Sequence, residues 1–134
     1  MKTTGMTTME IKKINKSKVY HLIYDSRTIS KQGIASALEM GMNTVTQNLK
    51  LLEEEGMIER KGCFESTGGR KARAIRILPT ARISLGIEIL RKRLHIAAVD
   101  LYGNILEQES YTIPFQVSSA YCEQVGQKVN AFTE

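Results

Sequence analysis

Two stretches of helical apolar periodicity joined by a connection of four residues constrain this chain more than any other feature. Ser30 is a good N-cap, and the short helix it opens runs to Leu38 with Ile34, Ala35 and Leu38 turned inward. The connection Glu39-Met40-Gly41-Met42 leads into a second helix beginning near Asn43, for which Gly41 is an acceptable cap. Along that helix Val45, Leu49 and Leu52 recur at i, i+4, i+7 as a core stripe, while Asn43, Thr44, Thr46, Gln47 and Lys50 present donors and acceptors on the opposite face. Gly56 stops it after Glu53-Glu54-Glu55. Two helices joined by a short turn, the second polar on its exposed N-terminal face, form a helix-turn-helix pattern, and such a face can enter a major groove about 12 Å wide. Helix pattern alone does not separate this from a three-helix bundle with a solvated face.

The flanking segments favour the first reading. Upstream, Asn15 can cap a helix with Val19, Leu22 and Ile23 on one face, ended by Asp25-Ser26-Arg27, which leaves residues 1–14 as a flexible arm. Downstream, Met57 to Lys61 and Ala74 to Leu78 read as two strands bracketing turn formers that include Ser66-Thr67-Gly68-Gly69. This hairpin has the character of a wing. It carries Arg60, Lys61, Arg70, Lys71, Arg73 and Arg76 against Glu59 and Glu65, so it offers cations to phosphates beside a groove. Arg70 follows a pair of glycines that permit close backbone approach, and could instead enter a minor groove.

Charge falls on the same part of the chain. Of the net +5, residues 1–80 hold fourteen Lys and Arg against eight Asp and Glu, a net +6, whereas residues 81–134 hold five against six, a net −1. A small basic unit beside a near-neutral one suggests an anionic partner, nucleic acid ahead of membrane, because no basic amphipathic helix has an aromatic face. A solvated basic surface is the plainer alternative, and charge alone does not separate the two. The length of 134 residues leaves no room for a large enzyme, and no apolar run approaches the roughly 20 residues of a membrane span. The polar start, Met1 to Lys13, has no apolar stretch to serve as a secretory signal, so a cytoplasmic protein is expected. Cys63 and Cys122 lack CxxC spacing and read as free thiols; His21 and His95 are isolated, so no metal or other cofactor is expected.

After Pro79 the pattern turns to strands at Ile83 to Ile89, Leu94 to Val99 and Ile105 to Tyr111, with Tyr102-Gly103-Asn104 as a turn, and then a helix from Ser119 to Phe132. The almost unbroken apolar run at Leu94 and Ile96 to Val99 is what a strand covered on both faces would show.

The residues from Asn15 to about Tyr111 resemble the repressor branch of the ROK family (repressors, open reading frames, kinases), which includes xylose and N-acetylglucosamine repressors. Matching pieces are Asn15-Lys16-Ser17, Ile29-Ser30-Lys31 with Ile34-Ala35, Thr44-Val45, Leu49, Leu52, Gly56-Met57-Ile58 and, most specific, Ser66-Thr67-Gly68-Gly69-Arg70-Lys71. The chain departs from the family where Glu39 and Gly41 replace a usual Gly and Ser in the turn, Gly33 replaces an acidic residue, and Ala72 replaces a common Pro. Gly33 inside a helix costs on the order of 1 kcal/mol relative to Ala. The resemblance implies an α+β chain: a winged helix-turn-helix over 15–80, then over 81–134 the first β-hairpins and helix of an actin-like, sugar-kinase-like domain, truncated. In the kinase branch the first hairpin of that domain binds ATP phosphate through an acidic-Gly-Gly-Thr loop. Glu88-Ile89-Leu90-Arg91-Lys92 has lost the glycines and the hydroxyl, so a kinase is not expected.

What is expected is a sequence-specific transcriptional regulator, a repressor of carbohydrate-utilisation genes, and not an enzyme. It would bind double-stranded DNA as a homo-oligomer through Asn43, Thr44, Thr46, Gln47, Lys50, Arg60, Lys61, Arg70, Lys71 and Arg73. No membrane partner is expected, and a sugar effector would need a longer form. The alternatives are a ROK sugar-kinase fragment and a winged-helix protein-interaction module.

Overall fold

In a computed structural model that describes residues 5–64 and 71–134, the first helix, α1 (Thr8–Ser26), starts well before Asn15. The expected flexible arm is therefore helical from Thr8 onward. The cause is a capping box: the Thr7 hydroxyl accepts from the Glu10 N–H at 3.2 Å, and the Glu10 carboxylate accepts from the Thr7 N–H at 2.6 Å. The backbone hydrogen bond from Thr7, and then that to its side chain, hold the Glu10 carboxyl below the ordinary carboxylate range. Helix α1 ends at Ser26 in a tight turn around Arg27 (φ +63°, ψ −49°), where the Thr28 N–H reaches the Ser26 carbonyl at 2.6 Å.

Helix α2 (Lys31–Leu38) is capped by Ser30, whose hydroxyl accepts from the Gly33 N–H at 3.0 Å. A Cβ added at Gly33 would stand 2.9 Å from Ile29 Cγ1, so replacing this glycine sets a steric cost against the helix propensity gained. At its other end Glu39 adopts φ +51°, ψ 39°, while the Met40 N–H bonds the Ala35 carbonyl at 3.0 Å and the Glu39 N–H that of Ser36 at 3.4 Å. This is the left-handed closure that glycine ordinarily provides. Helix α3 (Met42–Glu54) closes in the same way with the usual residue: Gly56 sits at φ +67°, and the Met57 N–H bonds the Leu52 carbonyl at 2.9 Å.

Strands β1 (Ile58–Cys63) and β2 (Arg73–Ile77) pair antiparallel from Ile58↔Ile77 to Cys63↔Arg73. The pairing outruns the expected end at Lys61 because a bulge sets Lys61 and Gly62 opposite Ala74, with Gly62 at φ +78°. Ile29 and Ile75 exchange both backbone hydrogen bonds, at 3.0 and 2.9 Å, which ties the start of α2 to the hairpin. Around this link Val19, Ile23, Ile34, Val45, Leu49, Ile75 and Ile77 are at most 1% exposed. They are the core of a unit spanning Met1–Ala81.

A second unit spans Arg82–Glu134. Its sheet has the order β3-β4-β5, all antiparallel, from β3 (Ser84–Ile89), β4 (Leu94–Val99) and β5 (Ile105–Tyr111). The β4–β5 turn is built on Asp100, whose Oδ1 accepts from the Tyr102 and Asn104 N–H groups at 2.8 and 2.9 Å, with Gly103 at φ +79°. Helix α4 (Ser119–Thr133), capped by Ser118, covers β4, burying Leu94, Ile96, Ala98 and Tyr121. His95, Ala97 and Val99 alternate with these and are half-buried, so cover on both faces, which the apolar run suggested, is not what the strand has.

Glu39 is a non-glycine residue held in a left-handed conformation that costs roughly 1–2 kcal/mol, partly offset in any replacement by the extra backbone entropy of glycine. Glu39→Gly is expected to raise unfolding stability by about 1 kcal/mol in urea titration. A fall in stability would show that the turn carries no strain.

Candidate nucleic-acid interface

The polar face of α3 follows from its period. Val45, Asn48, Leu49 and Leu52 face the core, which leaves Asn43, Thr46, Gln47 and Lys50 exposed and Thr44 half-buried. Of these, Thr46 bonds its own helix, its hydroxyl donating to the Met42 carbonyl at 2.7 Å. Asn43 and Gln47 have no such side-chain bond among the described residues. Lys50 Nζ stands 3.8 Å from Glu54, a long exposed pair that leaves the ammonium available.

The hairpin joins this face through charge. Arg60 is held by Glu53 of α3 through two hydrogen bonds, Nε at 2.6 Å and Nη2 at 3.0 Å, and Arg76 Nε bonds Glu59 at 2.6 Å. Two of the expected phosphate-binding cations are thus partnered within the protein. Lys61, Lys71 and Arg73 are exposed and meet no carboxylate among the described residues, while Arg70 and the Ser66-to-Gly69 run lie outside those residues.

The structure brings to this face five residues that were not among those expected, Lys12, Asn15, Asn48, Leu51 and Glu54. A groove of about 310 Å³ is lined by Lys12 and Asn15 of α1 together with Thr44, Gln47, Asn48, Lys50, Leu51 and Glu54 of α3. Lys12 and Asn15 were assigned to the arm and to a cap, and Asn48 is 6% exposed, donating from Nδ2 to the Thr44 carbonyl at 2.9 Å. The signal for the first two was present in Thr7-x-x-Glu10, a capping-box spacing that starts the helix early. Asn48 gave none, because its place in the heptad reads as core.

The remaining chemistry-bearing residues are not gathered into a site. His21 bonds within α1 to Ser17, and His95 Nδ1 lies 2.6 Å from Ser110 Oγ across the sheet. Cys63 and Cys122 are free and exposed. Among the described residues no cluster could hold a metal ion, and no helix is long and apolar enough to cross a membrane.

An α+β chain of this form matches the fold of a ROK family transcriptional regulator, a homologue of the Escherichia coli MLC protein, whose crystal structure superposes with a TM-score of 0.66 at 22% identity over 91% of this chain and 31% of that one. No family model matches the chain. In sequence it is similar to the N-acetylglucosamine repressor of Escherichia coli O157:H7, 33% identical over 106 residues, covering 78% of this chain and 26% of the relative. It is also similar to the xylose repressor of Caldicellulosiruptor bescii, 27% identical over 99 residues, covering 74% and 25%. The likeness to the repressor branch of the ROK family is thereby shown over most of the chain, which itself spans about a quarter of the length of these relatives.

The Arg60–Glu53 pair is about one-third exposed on both sides, so solvent screens it. A double-mutant cycle with Arg60→Ala and Glu53→Ala is expected to give a coupling of less than about 1 kcal/mol in chemical unfolding. A coupling of several kcal/mol would make Arg60 a structural residue that a phosphate could not recruit.

Proposed function

We propose that this chain binds double-stranded DNA as a sequence-specific transcriptional regulator, with α2 and α3 as a helix-turn-helix and the β1–β2 hairpin as its wing. The observation that carries the reading is the exposed polar face of α3, Asn43, Thr46, Gln47 and Lys50, bonded through Glu53 to a hairpin that displays Lys61, Lys71 and Arg73. A helix about 10–12 Å across fills a major groove, where such side chains reach base edges, and hairpin cations then stand over the flanking phosphates. Arg70 belongs to the proposed wing from its sequence position. Repression, and carbohydrate-utilisation genes as targets, rest on the names of the similar proteins. Action in the cytoplasm, as a homo-oligomer on a palindromic site, goes with this reading.

For residues 82–134 the proposal is the opening of an actin-like domain in its non-catalytic form. Where the kinase branch holds a phosphate loop, Arg91 and Lys92 occupy a tight turn closed by the Leu90 N–H on the Arg93 carbonyl at 2.8 Å. The similar proteins are transcriptional regulators rather than kinases. A sugar effector would need a longer form.

Gel shift against genomic fragments, followed by footprinting, tests the reading and yields the operator. On that operator Gln47→Ala is expected to weaken binding by about 1–3 kcal/mol while leaving affinity for unrelated DNA nearly unchanged, because Gln pairs two hydrogen bonds with adenine. Equal loss on both would remove Gln47 from base readout, and absence of any DNA binding would overturn the function.

A further inference from the structure

We propose that the N-terminal half of α1 is a second DNA-contacting element, whose Lys12 and Asn15 grip the phosphodiester backbone of the strand running beside α3. The inference rests on the DNA-binding reading and extends it to residues outside the helix-turn-helix and its wing.

Three observations carry it. The first is shape: Lys12 and Asn15 share a groove with Thr44, Gln47 and Lys50, so they line the flank of the helix whose exposed face is the proposed reading surface. A helix seated in a major groove about 12 Å wide is flanked by phosphates, and a channel along its side therefore faces backbone rather than bases.

The second is charge. The stretch of α1 from Thr8 to Lys18 holds Lys12, Lys13, Lys16 and Lys18 against the single acid Glu10. Lys16 is committed to Glu55 at 2.5 Å, and Glu10 to the cap at Thr7, but Lys12 meets no carboxylate among the described residues. The groove's one carboxylate, Glu54, stands against two ammonium groups, Lys12 and Lys50, so the groove is net positive. With the carboxamides of Asn15 and Gln47 these form a set suited to phosphate and sugar oxygens.

The third is order. The capping box at Thr7 and Glu10 fixes the turn that carries Lys12, and the Lys16–Glu55 pair joins the next turn to the end of α3. Lys12 is thus offered from a helix that is already formed, with little ordering left to oppose the contact.

The experiment uses the full chain and its footprinted operator, with affinity measured between 50 and 200 mM salt. Lys12→Ala is expected to reduce the slope of log K against log salt by about 0.9, so that the fall in affinity across that range shrinks about 3.5-fold. Asn15→Ala is expected to lower affinity roughly 2- to 10-fold at unchanged slope, since it removes a neutral donor. Lys18→Ala, exposed on the same helix but outside the groove, should leave the slope as it is. If the unaltered chain binds its operator with the Gln47 dependence described above, yet Lys12→Ala keeps the full slope, or Lys18→Ala lowers it as much, the proposal is overturned and the DNA-binding reading stands. A chain that binds no DNA overturns both.

Discussion

The first unit depends on a backbone exchange between Ile29 and Ile75. Each donates its N–H to the other's carbonyl, so the chain just before the Ser30 cap is fixed against a strand far along the sequence. That contact holds the mouth of α2 against β2 and sets both isoleucines into the unit, Ile75 fully buried and Ile29 half-buried. With α2 anchored at its start and closed at Glu39, the direction of α3 is decided within a few residues. The polar face of α3 and the hairpin cations can then belong to one rigid surface, since a hydrogen-bonded hairpin and a capped helix have few soft dihedrals between them.

Charge is divided on that surface between holding the unit together and facing outward. Glu53, Glu59 and Glu55 each take one cation, Arg60, Arg76 and Lys16. The cations left outward, Lys12, Lys50, Lys61, Lys71 and Arg73, are mostly lysines, whose compact ammonium suits a phosphate as a point charge. The guanidinium of Arg60 is used where two parallel hydrogen bonds to a carboxylate can be made. A count of basic residues on the hairpin therefore overstates the charge it presents.

Most of the fold was legible because its elements obey local rules. Ser30 caps α2, Gly56 closes α3, and the apolar periods of Val45, Leu49 and Leu52 and of Val19 and Ile23 mark the buried faces. What escaped was non-local or a choice between two local signals. Asn15 reads as the cap of α1, but the capping box at Thr7, where Glu10 returns a second hydrogen bond, sets the start instead. The Ile29–Ile75 link has no sequence signature at all. The pairing of Arg60 with Glu53 depends on how the hairpin folds back on α3, which no helical spacing foretells. On the polar face, Asn43, Thr46 and Gln47 were readable as exposed from their phase alone, whereas the groove shared by Lys12 and Asn15 needed the angle between two helices.

The second unit shows how a strand's composition can mislead about its cover. Leu94, Ile96 and Ala98 lie under α4, and the residues between them read as apolar only because Ala97 and Val99 are small or β-branched and tolerate partial exposure. The register sets Leu85, Ile87 and Ile89 directly across from Ala98, Ile96 and Leu94, so these side chains share the face of α4. They are nevertheless 40%, 45% and 48% exposed, because α4 packs chiefly on the central strand. Three large aliphatic side chains in a row on an edge strand differ from the scattered surface leucine that needs no account. The edge position also leaves one side of β3 without ladder partners among the described residues. On β3, apolar side chains and open backbone groups thus occur on the same strand.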